Sequence, residues 1–205
     1  MMATITPTFP LLLLETMRDM DRPDEVLEAE DLTISMPRRL GLSDVVLTHI
    51  QRLREEVRLR RPQAPDEVEN LIRLVTRRPD AIRIFREASR RQAELAWERR
   101  SRTARRLVRW LPPTLALYAA RRASRSAFAE LFGTRSFRIG GRPPAVRVEG
   151  SLSAQADPGG AACTFYGGVL TEMLQNFTHQ DWYVEHPECE ARGGSACEWR
   201  ARLIQ

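Results

Sequence analysis

SFRIGGRPPAVRVEG, residues 136–150, is where the chain changes its period. Phe137 and Ile139 flank Arg138, and Val146 and Val148 alternate with Arg147 and Glu149. A period of two marks half-buried strands, and the Gly- and Pro-rich GGRPP between them marks a turn. Downstream, DPGG at 157–160 opens a helix over about 160–177, with Cys163, Tyr166, Leu170, Met173 and Phe177 on one stripe. Two further strands are expected in DWYVEH (181–186) and CEWRARL (197–203). The resulting order is strand–strand–helix–strand–strand.

Upstream the period is helical. Ser43 is a good N-cap for a helix to about Arg60, with Val46, Ile50, Leu53 and Val57 on its apolar side. RRPQAPDE breaks it, and a second helix over 65–77 carries Val68, Leu71, Ile72 and Val75. Asp80 is expected to cap a third, over 80–103, with Ile82, Phe85, Ala88, Leu95 and Ala96 inward. After WLPPT a helix over 113–132 presents Ala116, Ala119, Ala120, Ala123, Ala127 and Ala129, small enough for a close neighbour, with Gly133 as its C′ residue. Residues 1–42 are acidic, with a helix start near Pro23. Helices segregated from an antiparallel sheet make an α+β fold, an N-terminal helical half packed on a small sheet. The chain divides at 65/66, into an acidic arm with one helix and a C-terminal domain.

Hydrophobic residues make up 42% of the chain and charged residues 29%, which excludes a disordered or fibrous protein. The apolar run FPLLLL at 9–14 is far shorter than the roughly 20 residues of a membrane span. No basic residue precedes it and no small-residue cleavage site follows, so it does not read as a signal peptide, and a cytoplasmic location is expected. All 32 basic residues are Arg, and 21 of them lie in 51–126. A partner could pair with this basic stretch. Nucleic acid is not favoured, because the stretch shows no base-stacking aromatic interleaving, no two-Cys, two-His finger and no clear helix-turn-helix.

All three cysteines cluster in the C-terminal half with one histidine. Cys163 sits in the first turn of a helix, and His186 and Cys189 have two residues between them. Cys197 returns after the turn-forming EARGGSA. Three Cys and one His make a closed structural zinc set. The same residues also suit inert buried thiols, or a redox or nucleophilic cysteine with His186 as base.

The ending CEARGGSACEW, 189–199, resembles that of the 4-vinyl reductase domain family: a Cys, a small turn with Gly, a second Cys and a strand. The resemblance runs upstream through LPPTLALYAARRASRSAFAELFGTRSFRIGG to ACTFYGGVLTEML and covers roughly 80–205, leaving 1–65 outside it. Within the family the chain is similar to the stand-alone bacteriochlorophyll-biosynthesis proteins. The phenol-responsive sensory domains of the family hold zinc with a distant Cys, a Glu and two Cys at this spacing. The resemblance therefore implies a structural zinc on Cys163, Cys189 and Cys197, with His186 where the family has Glu and with Glu185 and Glu188 as competing neighbours.

The family name implies reduction of a vinyl group. No G-x-G-x-x-G, P-loop or second Cys cluster supports it, and no residue is assigned a catalytic role. The expectation is a zinc-stapled binding protein, a carrier or sensor for an apolar, aromatic or tetrapyrrole ligand. Phe165, Tyr166, Trp182 and Trp199 are the candidate lining residues, each equally able to be core. The alternatives are a 4-vinyl reductase or accessory protein in bacteriochlorophyll biosynthesis, and a regulatory module acting through the Arg-rich helices. A homodimer is expected through the apolar face of helix 43–60 or the Ala-rich helix.

Overall fold

The computed structural model describes residues 5–22, 43–132, 137–141 and 143–204. The helix start expected near Pro23 and the C′ role of Gly133 lie outside the described residues. The helical half consists of α1 (Thr8–Asp21), α2 (Asp44–Leu59), α3 (Pro65–Thr76), α4 (Ala81–Glu98), α5 (Arg102–Val108) and α6 (Pro113–Phe132). Then come β1 (Phe137–Gly140), β2 (Ala145–Val148), the short α7 (Leu152–Ala156), α8 (Thr164–Thr178), β3 (Trp182–Glu188) and β4 (Cys197–Leu203). The sheet is antiparallel in the order β1-β2-β4-β3. This is the α+β architecture read from the change of period.

α8 is the hub. Phe165, Tyr166, Val169, Leu170, Met173, Leu174 and Phe177 are buried on several sides of it, as expected of a helix enclosed by its fold. The sheet covers one side through the inward row Val146, Val148, Cys197, Trp199 and Ala201. α4 and α6 cover the other. The α4 crossing is close enough to require glycine: a Cβ on Gly168 would run into Ser89 Oγ and come within 2.8 Å of its Cβ.

Three differences from the sequence reading have physical causes. The run FPLLLL is the core of α1: Leu13 and Met17 are fully buried, and the Phe9 ring lies 4.7 Å from that of Phe165. The expected helix 80–103 ends at Glu98, and a separate α5 begins after Ser101, whose hydroxyl accepts from Ala104 N–H. The buried stripe of α4 is Ala81, Ile84, Phe85, Ala88 and Gln92, which leaves Ile82 exposed.

Ser43 caps α2 through Val46 N–H as expected. Asp80 makes no side-chain cap for α4, because Arg78 donates to both of its carboxylate oxygens. Arg78 also forks onto Asp21 at 2.6 and 2.8 Å, tying the end of α1 to the start of α4. The apolar face of α2 and the buried alanines of the α6 face are covered within the chain.

Candidate metal centre

Four local devices bring the Cys/His set together. Cys163 closes a short 3-10 turn, Ala161–Cys163, ahead of α8. The Asp157 carboxylate shapes that turn by accepting from Gly159 N–H at 3.0 Å and Ala162 N–H at 2.8 Å. Gly160 takes the left-handed conformation there, with φ 75°.

His186 sits at a break in the ladder. β3 pairs Glu185 with Arg200 and then Glu188 with Glu198, so it advances three residues where β4 advances two. Pro187 has no N–H for the ladder, and a bulge of this kind re-aims a side chain. Cys189 ends β3, and its carbonyl accepts from Arg192 N–H and Gly194 N–H at 3.0 and 2.9 Å. That close return needs Gly194, where a Cβ would stand 2.9 Å from Cys189 O and 2.8 Å from Glu188 Cγ. Cys197 opens β4, paired with Val148.

The four candidate ligand atoms all lie within 4.8 Å of one another. Cys163 Sγ and Cys189 Sγ are 3.9 Å apart. Sulfurs bound at about 2.3 Å to one tetrahedral zinc stand about 3.8 Å apart, so this edge is already of metal-site length. All three cysteines are free thiols and buried. The His186 ring is stacked face to face on Trp199, centroids 4.9 Å apart at 8°. Its Nε2 is buried with no hydrogen-bond partner. A buried polar atom without a partner calls for an explanation, and a metal ligand is a sufficient one. The residues present therefore fit a metal ion.

The thiols compete for ionisation. The hydrogen bond from Cys163 holds Cys197 down, to about 4, against burial, and His186 and the Glu190 backbone N–H add to it. The same contact and burial push Cys163 up. A cation shared by all three sulfurs would remove this conflict.

The Glu competitors are engaged elsewhere: Glu185 with Arg202 at 2.8 Å, Glu188 with Arg147 at 2.6 Å and with Ser195. Outer contacts that the sequence reading missed hold the shell. Ser153 Oγ is 3.5 Å from Cys163 Sγ, and Trp199 Nε1 donates to Cys163 O at 3.0 Å. Glu190 accepts from Gly150 and Ser151 N–H at 2.6 and 2.7 Å, fastening the loop to the segment ahead of α7. A lone acid in a turn gives no spacing by which to find this role.

Residues 144–203 match the 4-vinyl reductase domain. The matched region runs from the residue before β2 to the end of β4 and holds all four Cys/His positions, in under a third of the 205-residue chain. No curated protein and no solved structure matches the chain.

The four aromatic candidates all lie in the matched region and are buried. Tyr166 stacks on Phe132 at 4.8 Å and lies 5.1 Å from Trp199. Phe165 meets Tyr166 edge-on. Trp182 donates its indole N–H to Thr178 at 2.8 Å. Tyr166 also lines a cavity of about 10 Å³, with Phe9, Val68 and Phe132 among its walls. An open groove of about 480 Å³ lies outside the matched region, among α1, α2 and α3. Leu14, Val46, Leu53 and Leu71 line it, with His49 and Gln63 as polar groups, and Val68 is common to groove and cavity. Among the described residues no helix is long and apolar enough to cross a membrane.

Proposed function

We propose that this protein is a zinc-stapled binding module for an apolar, aromatic ligand of phenol to tetrapyrrole type. The observation that carries the reading is the closed Cys163, His186, Cys189, Cys197 set with the unpartnered His186 Nε2 at its edge. Three thiolates and one imidazole fill a tetrahedral zinc and leave no position for substrate, which is the structural and not the catalytic pattern. Bound there, zinc would supply folding energy, fixing the start of α8 to the β3–β4 loop.

The ligand half of the reading rests on the 4-vinyl reductase domain match and on the groove. Its volume is in the range of small-molecule sites, and its walls are mainly apolar with a few polar groups. Val68 is the shared wall through which a bound ring system would reach Tyr166 and, behind it, Phe165 and Trp199. The carrier or sensor role, with Trp182 as a more distant wall, belongs to this proposal. So does a place in pigment synthesis.

The test is native mass spectrometry of chain purified without chelators, beside Val68→Trp and Cys189→Ser. We expect one zinc per chain plus a co-purified organic mass. Val68→Trp should lose the organic mass and keep the zinc, and Cys189→Ser should lose the zinc. A bare chain would remove the staple, and unchanged organic mass in Val68→Trp would remove the chamber.

A further inference from the structure

The corner between α5 and α6 exposes what a fold normally hides. Trp110 is 87% exposed, Tyr118 66%, Leu107 65% and Leu115 53%. They fall within twelve consecutive residues around Pro112 and Pro113. The corner itself is rigidly built. Val108 and Ala116 are buried beneath it, Trp110 N–H donates to Leu107 O at 3.0 Å, and Leu115 N–H donates to Pro112 O at 2.9 Å. The apolar side chains therefore face water from a fixed scaffold and not from a frayed end. Scattered exposed apolar residues need no explanation, but a contiguous set on one corner does.

The charge around them is one-sided. Residues 99–129 contain nine Arg and no Asp or Glu. Arg102, Arg106 and Arg109 recur at helical spacing beside Leu107 and Trp110 and are exposed, and Arg122 continues the stripe of Leu115 and Tyr118. None of these four makes an ion pair among the described residues, whereas most Arg on α2 and α4 do. A solvated basic face would not need Trp and Leu at its centre. A nucleic-acid groove would use the aromatics, but not Leu107 and Leu115.

We propose that this corner docks on the surface of an anionic phospholipid bilayer. Trp110 and Tyr118 would lie at headgroup level, where amphipathic rings are favoured, with Leu107 and Leu115 reaching the acyl boundary. The unpaired arginines would meet lipid phosphates, which the guanidinium fork binds well. The corner lies outside the region matched to the 4-vinyl reductase domain and owes nothing to the zinc or ligand reading.

The test is sedimentation of the full chain with vesicles of phosphatidylcholine, with and without one-third phosphatidylglycerol, at low and at 0.5 M salt. The proposal expects partition to the anionic vesicles alone, reduced by salt, with a blue shift of the exposed Trp110 emission. Arg106→Ala with Arg109→Ala should weaken partition on the order of fivefold for each arginine. Trp110→Ser should abolish the blue shift while far-UV circular dichroism stays unchanged. Absence of partition, or equal partition by these variants, overturns the proposal. Retention on duplex DNA or RNA without vesicle binding would assign the corner to nucleic acid instead.

Discussion

The Cys/His corner and the α5–α6 corner handle unpaired chemistry in opposite ways. At the first, nearly every polar group around the set is satisfied by a short backbone contact: Asp157 on the turn before α8, Glu190 on Gly150 and Ser151, Gly194 on Cys189. What remains unmatched there is inward: three thiols and one imidazole nitrogen. At the second the backbone is equally well formed, and what remains unmatched is outward: apolar rings and unpaired Arg. A partner the size of an ion completes the first corner, and only an extended surface could complete the second. The difference can be broken experimentally, because ion removal should act on stability and surface changes should not.

The largest effect belongs to the metal corner. Cys189→Ser or exhaustive chelation should destabilise the fold by about 4–5 kcal/mol, the scale of a lost structural metal. Thermal melting monitored by circular dichroism checks this, and hydrogen exchange should rise together at Cys163 and across 189–197.

Next comes the frame that links the helical layers, which contains no metal. Arg78→Ala removes the guanidinium fork from buried Asp21 and from Asp80, and should cost about 3 kcal/mol in urea unfolding. The pH dependence has a definite sign. The hydrogen bond from Arg78 holds the Asp80 carboxyl below its ordinary value. A depressed folded pKa contributes stability that is fully present above the unfolded value, about 3.9, and is lost as pH falls through the lowered folded value. Arg78→Ala should erase that part of the acid loss.

Gly168→Ala should cost about 1–3 kcal/mol by overpacking against Ser89. Adding Ser89→Gly should recover a large part of it, a coupling that a double-mutant cycle measures. The smallest effect is expected at the outer corner: Trp110→Ser should change stability by no more than about 0.5 kcal/mol while changing vesicle partition strongly. A large stability loss there would mean that Trp110 belongs to the core after all, and the contrast between the corners would fail.

Much of this is legible in the sequence because it is periodic. The switch of period after Gly133 locates the sheet, and the stripe from Cys163 to Phe177 locates the central helix. The Cys/His set is legible from residue type and spacing. How His186 is aimed is not, since a bulge is a property of pairing between two strands and β3 alone does not show it. α1 escapes the reading because a short, wholly apolar run has no period. Asp80 resembles a cap because sequence does not show that Arg78 takes its carboxylate first. A lining role for the aromatics does not separate from core packing by sequence, because ring contacts such as Tyr166 on Phe132 depend on elements far apart in the chain.

The most direct measurement is zinc-edge X-ray absorption on the chain purified without chelators. The account predicts a four-coordinate shell of three sulfurs at about 2.3 Å and one imidazole nitrogen at about 2.0 Å. A shell of mixed oxygen ligands, or one with fewer than three sulfurs, would contradict it.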